Sequence, residues 1–193
     1  ALVLALVMSM SLVTISNADF KDADKIDYTE AVDVMNAVGV LIGDENGNFN
    51  PKENLTRAQA AKIISYLLLG NKTAEGLAGS GKFTDVAKTS WAAGFVDYCA
   101  AVGVVNGMGN GKFDPDATCT RAQAVTFLWR SEKSPAAGTA NPFADVKSTA
   151  YYAGAVLWAV REDITKGTTN TTFSPDADCT RAQIVTFLWR CKK

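Results

Sequence analysis

Apolar positions along the chain fall into two alternating kinds of block. The first is short and led by an aromatic residue, as in Trp91 to Val102, where Phe95, Tyr98, Cys99 and Val102 recur at the spacing of one helical face. The second, as in Ala122 to Trp129, is apolar around most of a helix circumference and therefore wants burial on more than one side. Polar, glycine-rich turns separate the two. Gly107-Met108-Gly109-Asn110-Gly111 leads to an apolar Phe113 and then to Pro115, which stops any helix. The pattern predicts a mainly α fold.

Local start and stop signals agree with it. Each second block opens on Thr-Arg-Ala-Gln, at Thr56, Thr120 and Thr180. Thr followed three residues later by Gln is a capping box, with the hydroxyl accepting from the third N–H and the amide reaching back to the cap N–H. Each first block ends where a left-handed cap is wanted. Gly39 and Gly103 supply it in two cases, and Asp163 is the poorer substitute in the third.

These signals repeat because the sequence does. Cys119 to Arg130 returns at Cys179 to Arg190 with one change, Ala124 to Ile184. The same offset of 60 carries Phe83-Thr84-Asp85-Val86 onto Phe143-Ala144-Asp145-Val146, and Phe113-Asp114-Pro115 onto Phe173-Ser174-Pro175. A more diverged copy upstream has Phe20-Lys21-Asp22, Gly39, Phe49-Asn50-Pro51 and Thr56-Arg57-Ala58-Gln59. Residues 19–70, 82–130 and 142–192 are read as three helical repeats, joined by linkers rich in Gly, Ala, Ser and Lys. Three all-round apolar helices can bury one another where no 50-residue unit could bury its own, which predicts a central three-helix bundle.

Ahead of the repeats, residues 1–18 carry no charge and end in Ser16-Asn17-Ala18. They read as the later part of a secretory signal peptide cut after Ala18, truncated at its basic front end. A membrane helix is the competing reading, marginal in length and without flanking anchors. The mature chain is expected to be exported, with no membrane insertion.

Composition narrows the chemistry. The 193 residues contain no His, which removes Ser-His-Asp and Cys-His catalysis and His-ligated zinc from this chain. With 19 Lys and Arg against 20 Asp and Glu, no bulk field attracts nucleic acid. Carboxylates could in principle perform glycosidase chemistry, but no repeated pair stands apart from the structural Asp positions, so no catalytic residue is assigned. Asp44-Glu45-Asn46-Gly47-Asn48-Phe49 fails as a calcium loop, because Phe49 and Leu55 fall where Gly and Glu are required. No metal site or cofactor is expected.

Three units carrying Phe-x-Asp, Gly-x-x-x-Gly (with Asp163 for the first Gly in the third), Phe-x-Pro and Thr-Arg-Ala-Gln resemble a triplet of S-layer homology (SLH) domains over about residues 20 to 192. The family's last motif usually ends in Glu; Gln stands in all three copies here, keeping the cap and losing a charge. The resemblance implies a pseudo-threefold assembly around the central bundle. It further implies non-covalent anchoring of an exported protein to the bacterial cell wall or surface layer. The implied partner is a secondary cell wall polysaccharide, typically bearing pyruvylated N-acetylmannosamine, held in grooves between repeats. An assembly module contacting other surface-layer proteins is the alternative.

The residues point to an anion site on their own account. Arg57, Arg121 and Arg181 occupy the first helical position, where a cation costs a few tenths to about 1 kcal/mol against the helix dipole. Three copies of a costly placement suggest a use: helix-start N–H groups and a guanidinium fork could share a carboxylate. The bland reading pairs each Arg internally, with Asp22, Asp85 or Asp145, or with Asp114, Asp116 or Asp176. An Asp can also orient the Arg that meets a ligand. Trp91, Tyr28 and Tyr151 recur near the front of the first helix, where core packing is the leading reading and stacking on a sugar the second. Gly43, Gly107 and Gly167 serve the turn, with close approach of a ligand as a further use. Trp129 and Trp189 are assigned to the bundle. Cys99 and Cys119 are candidates for a disulfide within the second repeat, while Cys179 and Cys191 are too far apart along one helix to pair.

Overall fold

The computed structural model describes residues 20–193, so the signal-peptide reading of residues 1–18 lies outside the described residues. Among them the chain forms seven α-helices and no sheet. These are α1 (Thr29–Ala37), α2 (Arg57–Leu69), α3 (Asn71–Ala74), α4 (Ala93–Ala101), α5 (Arg121–Ser131), α6 (Ala153–Arg161) and α7 (Arg181–Lys192), with a 3-10 turn at Ala23–Lys25 before them. None of these helices is long and apolar enough to cross a membrane.

Every long second helix starts as its sequence requires. Thr56, Thr120 and Thr180 each accept from the N–H of Gln59, Gln123 and Gln183, and each Gln side chain accepts from the cap N–H. The first helices stop at left-handed residues, Gly39 at φ +72°, Gly103 at +77° and Asp163 at +60°. In each the next N–H closes a wide turn onto the helix, Val40 to Met35 O, Val104 to Cys99 O and Ile164 to Ala159 O.

Packing exchanges the helices between repeats. Each first helix lies on the second helix of the preceding repeat: α4 on α2, α6 on α5, and α1 on α7, which closes the cycle. The second helices also meet, α2 against α5 and α5 against α7. The all-round apolar pattern is thereby used. In α2 the residues Ala58, Ala60, Ala61, Ile63, Ile64 and Leu67 are all buried, and each large side chain so placed contributes roughly 1.5–3 kcal/mol.

The segments just before these helices are tied in a ring. Leu55 N–H donates to Cys179 O at 2.9 Å, Cys179 N–H to Cys119 O at 2.9 Å, and Cys119 N–H to Leu55 O at 2.7 Å. All three residues are fully buried. The candidate Cys99–Cys119 disulfide is not formed, and both thiols are free. Cys99 lies on α4 with its Sγ 3.3 Å from Ser65 Oγ and 3.4 Å from Ala61 O of α2, while Cys119 belongs to the ring. Burial pushes the Cys99 thiol up to about 11.

The third cap is the weak copy. Asp163 holds a left-handed conformation that costs an ordinary L-residue roughly 1–2 kcal/mol, and its ion pair with Lys166 is largely exposed. Asp163→Gly is expected to stabilise the fold by about 0.5 kcal/mol after the entropy of glycine is subtracted, read as a higher urea midpoint at unchanged slope.

Candidate functional site

The Phe of each Phe-x-Pro turn is held from two sides. The carboxylate of Asp85 accepts from Phe113 N–H and Asp114 N–H, both at 2.8 Å. Asp22 does the same for Phe49 and Asn50, and Asp145 for Phe173 and Ser174. The second residue of each pair is thereby pinned in a left-handed conformation, at φ +56° to +57°. Each Phe ring then stacks, tilted, on the Phe two residues before its acid, with centroids 5.4 to 5.8 Å apart, as Phe113 on Phe83. From the other side comes the Arg of the preceding repeat. Arg57 Nε donates to Phe113 O at 2.8 Å, Arg121 Nε to Phe173 O at 3.0 Å and Arg181 Nε to Phe49 O at 2.7 Å. Each guanidinium also lies over the ring it holds, at 4.4, 4.9 and 5.2 Å.

The acid and the base therefore grip one residue through its N–H and its C=O and form no ion pair with each other within the described residues. The internal pairing weighed from the sequence is replaced by this clamp. Burial lowers the pKa of each Arg below its ordinary value, with nearby carboxylates opposing it, and Arg57 and Arg121 are almost fully enclosed.

The helix starts are not open to a ligand. Arg57 N–H donates to Ala117 O and Ala58 N–H to Pro115 O, and Thr56 takes the next two N–H groups through its hydroxyl and its carbonyl. The other two starts are plugged in the same way, by Ala177 and Pro175 and by Glu53 and Pro51. An anion shared between helix N–H groups and the guanidinium, as the sequence suggested, is corrected: only the outer guanidinium nitrogens remain. Arg57 and Arg181 spend Nη2 on Asn106 O and Ile42 O. Arg121 gives only Nε to the clamp, and its two amino groups have no hydrogen-bond partner among the described residues.

Arg121 and Arg181 head grooves between repeats. One, of about 580 Å³, joins Arg121 to Gly167, to Gln183, Thr186 and Arg190 of α7, and to Tyr28. A second, of about 290 Å³, joins Arg181 to Gly43, to Gln59, Lys62 and Tyr66 of α2, and to Trp91. Arg57 reaches the carbonyl next to Gly107, and Tyr151 lies within electrostatic range of Arg57 and Arg130, the third version of the set. The structure thus brings Arg181, Gly43 and Trp91 together, while Asp22 and Asp145 open onto separate hollows.

Trp91, Tyr28 and Tyr151 are 56, 55 and 61% exposed, which corrects their leading assignment to the core. Trp129 is half-buried and its Nε1 donates to Pro135 O, tying the linker to α5. Gly43 and Gly107 have no room for a side chain, because a Cβ would lie 2.6 and 2.8 Å from the rings of Phe20 and Phe83. Their turn role is steric rather than conformational. Asp44 accepts from Asn46 N–H, Asn48 N–H and the Asn50 amide, closing its own loop. Sequence reading missed Gln59, Lys62 and Tyr66, Thr186 and Arg190. The signal was present as a polar stripe at spacings of three and four along otherwise apolar helices.

Three segments of the chain, residues 19–61, 82–125 and 142–185, match the S-layer homology domain family. The chain is similar to a surface-layer 125 kDa protein of Lysinibacillus sphaericus, 33% identical over 92% of this chain and 15% of that protein. It is similar also to a cellulosome-anchoring protein of Acetivibrio thermocellus, 30% identical over 78% of this chain and 34% of that one. A middle cell wall protein of Brevibacillus brevis is 38% identical over 47% of this chain and 9% of its own length. The chain spans about a third or less of the length of these relatives.

The clamp predicts an acid-sensitive fold. Burial raises the Asp85 pKa, but the N–H bonds from Phe113 and Asp114 outweigh it and hold the carboxyl below its ordinary value. Its stabilisation is therefore full above the unfolded value of about 4 and is lost as pH falls through the folded one. Asp85→Asn is expected to cost about 1–3 kcal/mol at neutral pH and to flatten the acid limb of stability, measured as urea midpoints across that range.

Proposed function

The chain belongs to the S-layer homology domain family, and from that premise we propose that it anchors an exported protein non-covalently to the wall by binding a secondary cell wall polysaccharide. Membership places the chain at the bacterial cell surface or cell wall. The observation that carries the proposal is the recurring groove set: a guanidinium at one end, a polar stripe of the second helix along the floor, and an exposed aromatic residue at the far side. A cation facing a flat aromatic ring across a few hundred Å³ suits an acidic sugar, with the carboxylate on the cation and the pyranose face on the ring. A pyruvylated N-acetylmannosamine unit has that chemistry. Arg57, Arg121 and Arg181 are the anion contacts, Trp91, Tyr28 and Tyr151 the stacking faces, and Gly43 and Gly107 the turns that let the polymer approach. Asp22, Asp85 and Asp145 act behind them, holding the Phe against which each Arg is set.

The same reading takes residues 19–70, 82–130 and 142–192 as the repeats and their arrangement as pseudo-threefold about a central bundle of α2, α5 and α7. The cyclic hydrogen bonds of the ring and the cyclic exchange of first helices support it. The module is read as a binding domain without catalysis of its own.

Purified sacculi with and without their attached polysaccharide, incubated with residues 19–193, test the proposal. Retention is expected only where the polysaccharide is present. Tyr28→Ala, at an exposed position, is expected to weaken it about fivefold with no loss of stability, and Arg121→Gln to weaken it further. Equal retention on stripped sacculi, or by every variant, would favour assembly through other surface-layer proteins instead.

A further inference from the structure

The grooves share a plan but differ in charge. Where α5 and α7 carry Thr126 and Arg130, Thr186 and Arg190, the corresponding positions of α2 hold Lys62 and Tyr66. Arg130 and Arg190 donate Nη1 to Val104 O and Ile164 O, and neither belongs to an ion pair among the described residues. Lys62 is different. Its Nζ lies 3.1 Å from Glu75 Oε1, and the Tyr66 hydroxyl donates to the same oxygen. Glu75 is brought there by α3, a short turn between the first and second repeats that has no counterpart between the second and third. Both residues that Glu75 grips are walls of the groove headed by Arg181.

We propose that Glu75 is a specificity determinant that turns the Arg181 groove away from acidic saccharides, so that the groove headed by Arg121 is the stronger anionic contact of the two. Glu75 acts as a built-in competitor. It occupies the ammonium that a ligand carboxylate would use, and its own charge repels a second carboxylate. The pair is half-exposed, so its hold on Lys62 is weak and the effect is a graded bias rather than a block. This inference rests on the polysaccharide reading of the grooves.

Trp91 offers a reporter for this groove, since the corresponding positions of the others are Tyr28 and Tyr151. Tryptophan fluorescence is titrated with a methyl pyranoside carrying a pyruvate ketal and, in parallel, with the methyl ester of that ketal. The signal lost in Trp91→Phe is the one that counts. Glu75→Gln, which keeps an acceptor for Tyr66, is expected to tighten binding of the acid about threefold to tenfold and to leave the ester unchanged. Adding Lys62→Gln is expected to erase the gain. A Glu75→Gln curve superimposable on the wild type, an equal gain for acid and ester, or a gain that survives Lys62→Gln would each overturn the proposal. Failure of the wild-type chain to bind polysaccharide-bearing sacculi would bring down the underlying reading whatever Glu75 does; retention on sacculi with a Trp91 titration that Glu75→Gln leaves unchanged brings down this inference alone.

Discussion

The grip on one phenylalanine, by a carboxylate through its N–H and by a guanidinium through its C=O, is the interaction on which the rest of the molecule depends. The acid comes from the same repeat as the Phe and the base from the repeat before it. Each clamp is therefore a joint between repeats as well as a turn within one. Both charged groups are bonded to neutral backbone, so neither is left uncompensated in the protein interior, and the cation gains the face of the ring besides. Through three such joints each repeat is tied to both of the others.

The joints also explain why the helix starts are closed. A free helix N-terminus presents unsatisfied N–H groups and a partial positive charge, to which an Arg at the first position adds. Here carbonyls of the next repeat take the first two N–H groups, the Thr cap takes the next two, and the Arg extends away to another carbonyl. The electrostatic cost of the Arg is offset by these acceptors, without any anion. What remains for a ligand is the outer edge of the guanidinium, presented at the mouth of a groove that exists because repeats are joined there. Anchoring chemistry of the kind proposed thus uses what the joint leaves over.

The parts legible in the sequence were those governed by local backbone chemistry. Capping boxes at Thr56, Thr120 and Thr180 and left-handed caps at Gly39, Gly103 and Asp163 are decided within four residues of chain, and each stands where its motif placed it. The pairing of helices was not legible. Nothing in the apolar pattern of α4 distinguishes the second helix of its own repeat from that of the preceding one, because repeated helices present near-identical faces. The exposure of Trp91, Tyr28 and Tyr151 was missed for a related reason. Aromatic residues at the front of an apolar helix look like core until the exchange of helices turns that end outward. The Cys99–Cys119 pairing failed likewise, as the exchange delivers Cys99 to Ser65 of another repeat.

A cyclic repeat separates what must be kept from what can vary. The clamp residues, Asp, Phe, Arg and the Gly beneath the ring, are bound to one another across repeats, and changing any one disturbs a joint in two units at once. The polar stripe on the second helix borders a groove and lies outside the clamp, and it differs between copies, Lys62 and Tyr66 in one, Thr and Arg in the others, although Tyr66 also packs edge-on against Phe95 of the next repeat. Linkers are freer still, and after α2 the chain uses that freedom to fold α3 and set Glu75 against the stripe. Divergence among the three grooves then requires no change in the ring. The physical consequence is that affinity for charged sugar can be divided unequally among grooves of one fold by half-exposed side chains such as Lys62 and Glu75, which belong to none of the clamps.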